Sequence, residues 1–136
     1  ALYCLLWIGR LISEPRYEEI ANRMSELFAD EVEAMPQAYT FFLSALELLL
    51  GNSYSVVLVG DLKGEDSQLM LDALRRNYLP TTTVQFKSPK NADAGYQQID
   101  GKATVYVCQN QTCLPPTNST ELMLKQLGVN QENVKS

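Results

Sequence analysis

The stretch ATVYVCQNQTCLPPTNSTEL, residues 103–122, contains the clearest signals for the fold. Its first five residues, 103–107, alternate and are rich in β-branched side chains, which is typical of a β-strand. Cys108 ends that strand, and Cys113 lies in the short polar loop that follows. Two thiols five residues apart at the end of a strand indicate a redox or a metal-binding role.

The residues after these cysteines predict a turn and a terminal helix. Pro115 and Pro116 stop the strand region, because proline has no N–H to donate to a sheet. Asn118 is predicted to cap the helix, with Glu121 three residues later as in a capping box. Gly128 is predicted to end this helix, and residues 131–136 are expected to form a frayed tail.

Two earlier segments predict the rest of a small α/β unit over residues 52–136. The run SVVLV, residues 55–59, is short and continuously apolar, as in a strand covered on both faces. Residues 82–86 predict a second strand, and a polar connection, residues 88–101, leads to the third. The strand–helix–strand order predicts a right-handed parallel crossover. We therefore expect a mixed α/β fold with a small, mainly parallel, three-stranded sheet and flanking helices.

The helix between the first two strands has an apolar face and an acidic start. Asp66 or Ser67 is predicted to be its N-cap, because short polar side chains accept from the first N–H groups. Pro80 closes it. The side chains predicted to point inward are Leu69, Met70, Ala73, Leu74 and Tyr78.

Residues 1–51 predict a helical segment. Residues 1–12 are apolar and read as a buried helix, which places Cys4 in the core. Ser13 is predicted to cap a second helix that has Pro15 in its first turn and ends at Pro36. A third helix is expected over residues 37–50, with Gly51 as its stop. Its run FFLSALELLL, residues 41–50, is apolar on nearly all sides, which predicts burial on several faces.

Composition narrows the classes of function. The net charge is −5, from 11 basic and 16 acidic residues, and no basic stripe occurs, which argues against nucleic acid and against anionic membrane surfaces. The chain has no histidine, which excludes Ser-His-Asp and Cys-His catalysis within it and disfavours zinc. No apolar run reaches membrane-spanning length. Three cysteines fit a reduced, cytoplasmic protein better than a secreted disulfide scaffold.

Cys108 and Cys113 are the first candidate site, and their roles stay open at this point. The pair could form a reversible disulfide, offer a reactive thiolate, or simply pack at a strand end. Its C-x4-C spacing differs from the C-x-x-C of thioredoxin-type centres. Two sulfurs do not complete a tetrahedral zinc site, so no metal is expected. No lysine or arginine adjoins either cysteine in the sequence to lower its pKa.

Gly60 and Asp61 form the second candidate site, a ligand loop where a strand passes into a helix. Open α/β sheets bind ligands at such positions, and helix N-termini attract anions. The loop matches neither a P-loop nor a G-x-G-x-x-G motif, and its acidic residues repel phosphate. A plain strand-to-helix turn is the simpler interpretation, and the acidic residues are expected to lie on solvated surfaces. No catalytic residue and no cofactor are predicted.

Two further patterns have plain interpretations. The sequons that begin at Asn110 and Asn118 would matter only in a secreted protein, and the cysteine usage argues against that. Aromatic residues could line a carbohydrate-binding surface, although core packing is the simpler interpretation. They are Tyr3, Trp7, Tyr39, Phe41 and Phe42.

Taken in order, five segments resemble the C-terminal end of one family, the large thioredoxin-domain-containing proteins. That family includes the spermatogenesis-associated thioredoxin-like protein of animals and its bacterial relatives. The resemblance covers nearly the whole chain and is most specific around Cys108, Asn110 and Cys113. The segments are PRYEEIANRMSELFADEVEAMP (residues 15–36), FLSALELLLG (42–51), VVLVG (56–60), LDALRRNYLP (71–80) and GKATVYVCQNQTCLPPTNSTEL (101–122).

The resemblance implies an architecture and partners. Family members have an N-terminal thioredoxin-like domain followed by an α/α toroid similar to six-hairpin glycosidases and N-acylglucosamine 2-epimerases. Residues 1–51 would be the last toroid helices, and residues 52–136 a small α/β appendage. The expected function is a non-catalytic structural domain that completes the toroid, with a thiol-redox module or a carbohydrate-binding surface as alternatives. The expected partners are the remainder of the parent chain and, in isolation, a second copy that covers the apolar helix face.

Overall fold

The computed structural model describes residues 1–92, 94–109 and 112–129. The chain divides into two compact units, residues 1–53 and residues 54–136. The sequence places this division two residues earlier, between residues 51 and 52. Each unit has its own hydrophobic core. The expected tail, residues 131–136, lies outside the described residues.

The first unit is helical. Its elements are α1 (Leu2–Ile12), α2 (Pro15–Leu27), α3 (Ala29–Ala34), a short 3-10 turn (Pro36–Ala38) and α4 (Thr40–Leu50). The buried residues at its centre come from α1, α2 and α4, and they are Leu2, Leu6, Ala21, Ala45 and Leu48. Apolar residues at helical spacing therefore make a core between three helices.

The connection between α1 and α2 differs from the prediction. Ser13 does not cap α2; it ends α1 in a left-handed conformation, with φ of 55°, and its N–H donates to the carbonyl of Arg10. Glu14 takes the N-cap position, and Pro15 begins α2 as predicted. The chain turns sharply here, since a Cβ on Gly9 would lie 2.9 Å from Cβ of Tyr17.

The helix predicted to run to Pro36 is interrupted. Phe28, with φ of −100° and ψ of 2°, ends α2 and precedes α3. Pro36 starts the 3-10 turn, so α4 begins only at Thr40. Within α4 only Ala45 and Leu48 are buried, whereas Phe41 is 66% and Leu50 is 79% exposed. The predicted burial of α4 on several faces is therefore absent from the described chain.

Arg10 ties the three core helices of this unit together. Its Nε lies 2.9 Å from Oε1 of Glu18 on α2, and its Nη2 donates to the carbonyl of Leu48 on α4 at 2.9 Å. Only 12% of the Arg10 side chain is exposed. A buried guanidinium needs such partners, because an unpaired charge in a low-dielectric interior is strongly destabilising.

The second unit is a mixed α/β fold, as predicted. Its elements are β1 (Tyr54–Val59), α5 (Glu65–Arg76), β2 (Thr82–Lys87), β3 (Thr104–Gln109), β4 (Thr112–Cys113) and α6 (Thr120–Gln126). The strand order is β2-β1-β3-β4. The β1–α5–β2 crossover pairs parallel strands, whereas β3 runs antiparallel to both β1 and β4.

The sheet is therefore not the mainly parallel, three-stranded sheet that the sequence suggests. In the described ranges it has four strands, and two of their three pairings are antiparallel. The physical reason is the connection between β2 and β3. A parallel third strand needs a crossover that returns the chain to the starting edge, usually a helix. The connection after Lys87 has no helix among its described residues, so the chain re-enters the sheet in the opposite direction.

Both helices of this unit pack on one sheet core. Met70 and Leu74 of α5 are buried with Val56, Leu58, Val105, Val107 and Met123. Leu69 is 60% exposed and Tyr78 is 90% exposed, so their predicted inward positions are wrong. Tyr78 lies beyond the end of α5 at Arg76, where the helical spacing no longer applies.

The ends of α6 are partly as predicted. Ser119, not Asn118, is its N-cap, and the Ser119 hydroxyl accepts from the N–H of Leu122. Glu121 therefore lies one position too early for a capping box. Gly128 ends the helical region with φ of 74°, and its N–H donates to the carbonyl of Lys125, as in a Schellman motif.

The carboxyl end of β1 is closed by a tight contact at Gly60. A Cβ on Gly60 would collide with Oγ of Ser67 and lie 3.2 Å from Cβ of Ala103. The absence of a side chain here lets the start of α5 and the start of β3 meet over β1.

The substitution Gly60→Ala is expected to lower the free energy of unfolding by about 1–3 kcal/mol, because the added methyl group overpacks this contact. Gly95→Ala is the matched control, since none of the described residues comes within 4 Å of its Cβ position. Urea unfolding followed by circular dichroism measures both. Equal stability of the two variants would contradict the packing described for Gly60.

Candidate functional site

Cys108 and Cys113 are joined by a disulfide bond. Cys108 lies on β3 and Cys113 lies directly opposite it on β4, with their Cα atoms 3.8 Å apart. Of the alternatives that the sequence leaves open, the structure thus has the bonded pair. Cys108 is 8% exposed, whereas Cys113 is exposed.

The backbone pattern explains why these two residues meet. The N–H of Leu114 donates to the carbonyl of Val107 at 2.8 Å, so these two residues form a hydrogen-bonded pair. Pairs alternate along an antiparallel ladder, and the next pair, Cys108 and Cys113, is therefore of the non-hydrogen-bonded kind. The Cα atoms of such pairs are the closer ones, which brings both sulfurs within bonding distance.

A bulge follows the cysteines on the β4 side. Thr117 exchanges two backbone hydrogen bonds with Val105, at 2.8 and 3.0 Å, so the pairing has slipped by one residue relative to Leu114 and Val107. Pro115 and Pro116 occupy the slip, opposite Tyr106. A proline has no N–H for the ladder, and a bulge is a position in a sheet that tolerates one.

An open groove of about 530 Å³ lies beside the disulfide. Cys113 is part of its lining, with Gly95, Tyr96, Tyr106, Leu114, Pro115 and Pro116. Cys108 and Tyr106 alternate along β3 and therefore share a face of the sheet, opposite the face that carries Val105 and Val107. The disulfide and the aromatic wall thus lie on the side away from α5 and α6.

The aromatic wall is held by several contacts. The Tyr96 ring packs edge-on against Tyr106, with ring centroids 5.0 Å apart. The Tyr106 hydroxyl donates to the carbonyl of Gln97 at 2.8 Å and accepts from the N–H of Gln97 at 3.0 Å. Nζ of Lys87 lies 4.9 Å from the centroid of Tyr96. The polar connection before β3 is thus attached to the sheet at this point.

Gly60 and Asp61 lie in the same unit but do not line the groove. Oδ1 of Asp61 accepts from the N–H of Lys63 at 3.0 Å, and the carbonyl of Asp61 accepts from the N–H of Gly64 at 2.9 Å. These bonds form a compact turn between β1 and α5. Ligand binding at this loop stays a prediction.

Asp66 has a different role from the predicted N-cap. Gly64 is the N-cap of α5, and Asp66 lies in the first turn. Its Oδ1 accepts from the N–H of Ser67 at 2.8 Å, and its Oδ2 accepts from the N–H of Ala103 at 2.6 Å. The hydrogen bond from Ala103 is the main reason that the pKa of Asp66 lies below its ordinary value. The carboxylate therefore joins α5 to the start of β3.

Other candidates of the sequence lie elsewhere. Cys4 is exposed, so its predicted core position is wrong; the neighbouring Leu2 and Leu6 take the buried positions of α1. Trp7 and Tyr39 are both half-buried, and the Tyr39 hydroxyl donates to Oε2 of Glu31, which raises the pKa of Tyr39. A carbohydrate-binding surface there stays a prediction.

Asn118 is exposed, and its Nδ2 donates to the carbonyl of Ile99 at 3.4 Å. Asn110 lies outside the described residues. Within the described ranges, no cluster of three or more potential ligands for a metal ion occurs. In the same ranges, every helix is too short or too polar to cross a bilayer.

Sequence reasoning missed the aromatic wall of the groove. Tyr106 was visible only as one member of an alternating strand, and Tyr96 lies in a connection with no regular pattern. The usable signal was period two in β3, since it places Tyr106 and Cys108 on one face. Tyr96 reaches them only through the tertiary fold.

Comparison of the chain with models of protein families, with curated proteins and with solved structures gives no match.

The carboxylate of Asp66 makes stability depend on pH. Its pKa is lowered in the folded state, so its contribution is present above the unfolded-state pKa and is lost as the pH falls through the folded-state pKa. Asp66→Asn is expected to have a lower free energy of unfolding than the wild type at about pH 7. This difference should be smaller at about pH 2. Denaturant unfolding at both pH values measures the difference.

Asp72→Asn is the control, because Asp72 is an exposed carboxylate on the same helix, 3.3 Å from Arg75. Exposed ion pairs contribute little to stability, so Asp72→Asn should have nearly the wild-type free energy of unfolding at both pH values. A difference for Asp66→Asn that is the same at both pH values would contradict the role given to this carboxylate.

Proposed function

We propose that the β3–β4 hairpin is a thiol-redox module in which Cys108 and Cys113 cycle between dithiol and disulfide. The observation that carries this proposal is the disulfide between directly opposed residues at the exposed end of the sheet. Cys113 is accessible there, and access is a requirement for thiol–disulfide exchange. The bond closes only a short loop, so opening it leaves the ladder between β1 and β3 in place.

The proposed compartment is the cytoplasm. Cytosolic disulfides are rare, and those that occur are mostly transient, catalytic or redox-sensing. A disulfide at an accessible hairpin end fits that group. Cycling needs a reductant and an oxidant: a dithiol supplies two electrons and two protons to open the bond, and a disulfide accepts them when the bond re-forms. The resemblance to thioredoxin-domain-containing proteins suggests a thioredoxin-like domain as the exchange partner.

A second candidate is a structural role for the helical unit, as a non-catalytic part of a thioredoxin-domain-containing protein that completes an α/α toroid. A specific observation favours it. An open groove of about 490 Å³ lies between α2, α3 and α4, and its lining is mostly apolar, with Val32, Pro36, Phe42, Leu43, Leu46 and Leu50 among its residues.

Several large apolar side chains of the helical unit are exposed. Leu43 and Leu50, which line the groove, are 39% and 79% exposed, and Leu27 and Phe41, elsewhere in the same unit, are 79% and 66% exposed. Large contiguous apolar patches mark interaction surfaces, and a groove between helices is suited to an amphipathic helix. A further toroid helix of the parent protein is the proposed occupant. In its absence, a second copy of the chain would cover the same surface.

The redox proposal predicts a reversible pair. In buffers with a graded ratio of reduced to oxidised glutathione, Cys108 and Cys113 should become accessible to alkylation together as the ratio rises. They should re-form the disulfide when the ratio is lowered again. Mass spectrometry after alkylation counts the free thiols at each ratio. Cys4 is the internal control, because it is exposed and should be alkylated at every ratio. A pair that stays bonded at all ratios, or never bonds, would sink the redox proposal.

The structural proposal predicts self-association of this chain through the helical groove. Sedimentation velocity should find a dimer at micromolar concentration, and Leu43→Ser or Leu50→Ser should shift it toward monomer, because each removes apolar surface from the contact. Leu69→Ser is the matched control, an exposed leucine on a helix of the other unit. A wild-type chain that is monomeric throughout, or an equal effect of Leu69→Ser, would count against the proposed surface.

A further inference from the structure

We infer that an extended peptide segment with a cysteine docks along the outer edge of β4, and that its thiolate attacks Sγ of Cys113. This inference rests on the proposed redox function and adds the kind of partner, the docking surface and the sulfur that reacts. Three observations carry it: the direction of the Cys113 backbone groups, the groove beside them, and the unequal exposure of the two cysteines.

The N–H and C=O groups of Cys113 point toward the outer edge of the sheet. In a non-hydrogen-bonded pair the N–H and C=O groups of each residue turn away from the opposing strand. For Cys113 that direction is the outer edge of the sheet, since β4 is the last strand in the order. Among the described residues, no turn, loop or cap hydrogen bond uses its N–H or its carbonyl. An extended segment can satisfy both groups by strand addition.

The groove provides room for the side chains of that segment. Tyr96, Tyr106 and Leu114 line it together with Cys113. A residue two positions from the cysteine of the docked segment points to the same face as that cysteine, so it meets this apolar and aromatic surface. Strand addition gives affinity through the main chain, and pockets beside the edge give specificity through alternate side chains. The disulfide lies in the wall of the groove, which favours a thiol-bearing occupant over any other extended segment.

The unequal exposure of the two cysteines determines which sulfur the partner thiolate attacks. Cys108 is 8% exposed and sits inside the ladder between β1 and β4, whereas Cys113 is exposed on the edge strand. An attacking thiolate must approach along the S–S axis from outside, so access decides which sulfur it reaches. Access from the groove is to Cys113.

The exchange has two steps. The partner thiolate forms a bond to Sγ of Cys113, the Cys108–Cys113 bond breaks, and its electron pair leaves on Sγ of Cys108, which takes a proton from water. A second thiol of the partner loses its proton to water, and its thiolate attacks the partner sulfur that is bonded to Cys113. The bond between that sulfur and Cys113 breaks, its electron pair leaves on Sγ of Cys113, and Cys113 takes a proton from water. The partner becomes a disulfide and the hairpin becomes a dithiol.

The first test identifies the sulfur that reacts. The oxidised chain is mixed with a blocked pentapeptide that has a central cysteine and a valine at each end, quenched with acid at short times, alkylated and mapped by mass spectrometry. The expected product has the peptide on Cys113 and the alkyl group on Cys108. A peptide found mainly on Cys108 would overturn the inference while leaving the redox cycle intact.

The second test measures docking. The rate constant for attack is compared between this peptide and an analogue methylated at the nitrogens of the cysteine and its two neighbours. The analogue keeps the thiol and the side chains but removes the donors that face the Cys113 carbonyl. Loss of the edge hydrogen bonds should slow the reaction about tenfold. Equal rates for the two peptides would overturn strand addition.

Two protein variants test whether the peptide uses the groove. Tyr96→Ala should slow the reaction of the peptide but not that of glutathione, because only the peptide uses the groove. Tyr78→Ala, which changes a 90% exposed tyrosine of the same unit, should alter neither rate. If glutathione itself opens no bond in the wild type, the redox function has failed; if glutathione opens it and the peptide gains nothing from Tyr96, only the docking surface has failed.

Discussion

The antiparallel register of β3 is the constraint on which the candidate site depends. One edge of β3 pairs with β1 and buries the centre of the sheet, while the other edge pairs with β4 and brings Cys113 opposite Cys108. Because side chains alternate along a strand, the same register sends Val105 and Val107 to the helix-covered face and Tyr106 and Cys108 to the other. A shift by one residue would bury the tyrosine and the cysteine under α5 and α6 and break the pairing of the sulfurs.

Local patterns in the sequence predict much of this unit but not its topology. The apolar run of β1, the alternation of β3, and Gly128 as a helix stop are all confirmed, since each depends on neighbouring residues alone. The direction of β3 depends on how the connection after Lys87 returns to the sheet, and no local pattern encodes that. The same limit applies to the site: C-x4-C is visible in the sequence, but the opposed positions follow from the register.

Small polar residues near helix ends show a related limit. The sequence offers Ser13, Asp66 and Asn118 as caps, and each lies within a few residues of a helix start. The structure instead has Ser13 in a left-handed turn, Asp66 bonded to Ala103 and Asn118 bonded to Ile99. A side chain that can cap a helix can equally bond to another part of the chain, and tertiary contacts decide between the two. Asp66 is the example with the largest structural effect, since it joins two elements that are 37 residues apart.

The two prolines of the bulge limit how another chain can align with this edge. Neither Pro115 nor Pro116 has an N–H to offer, and the carbonyl of Pro115 already accepts from Nε2 of Gln126. Thr117, the next residue, uses both backbone groups on Val105. Among residues 112–117, a strand laid against β4 therefore finds an outward-directed donor at Cys113 and gains none by sliding toward the prolines. The bulge thus fixes the register of an incoming chain, because it determines which of its residues lies opposite Cys113.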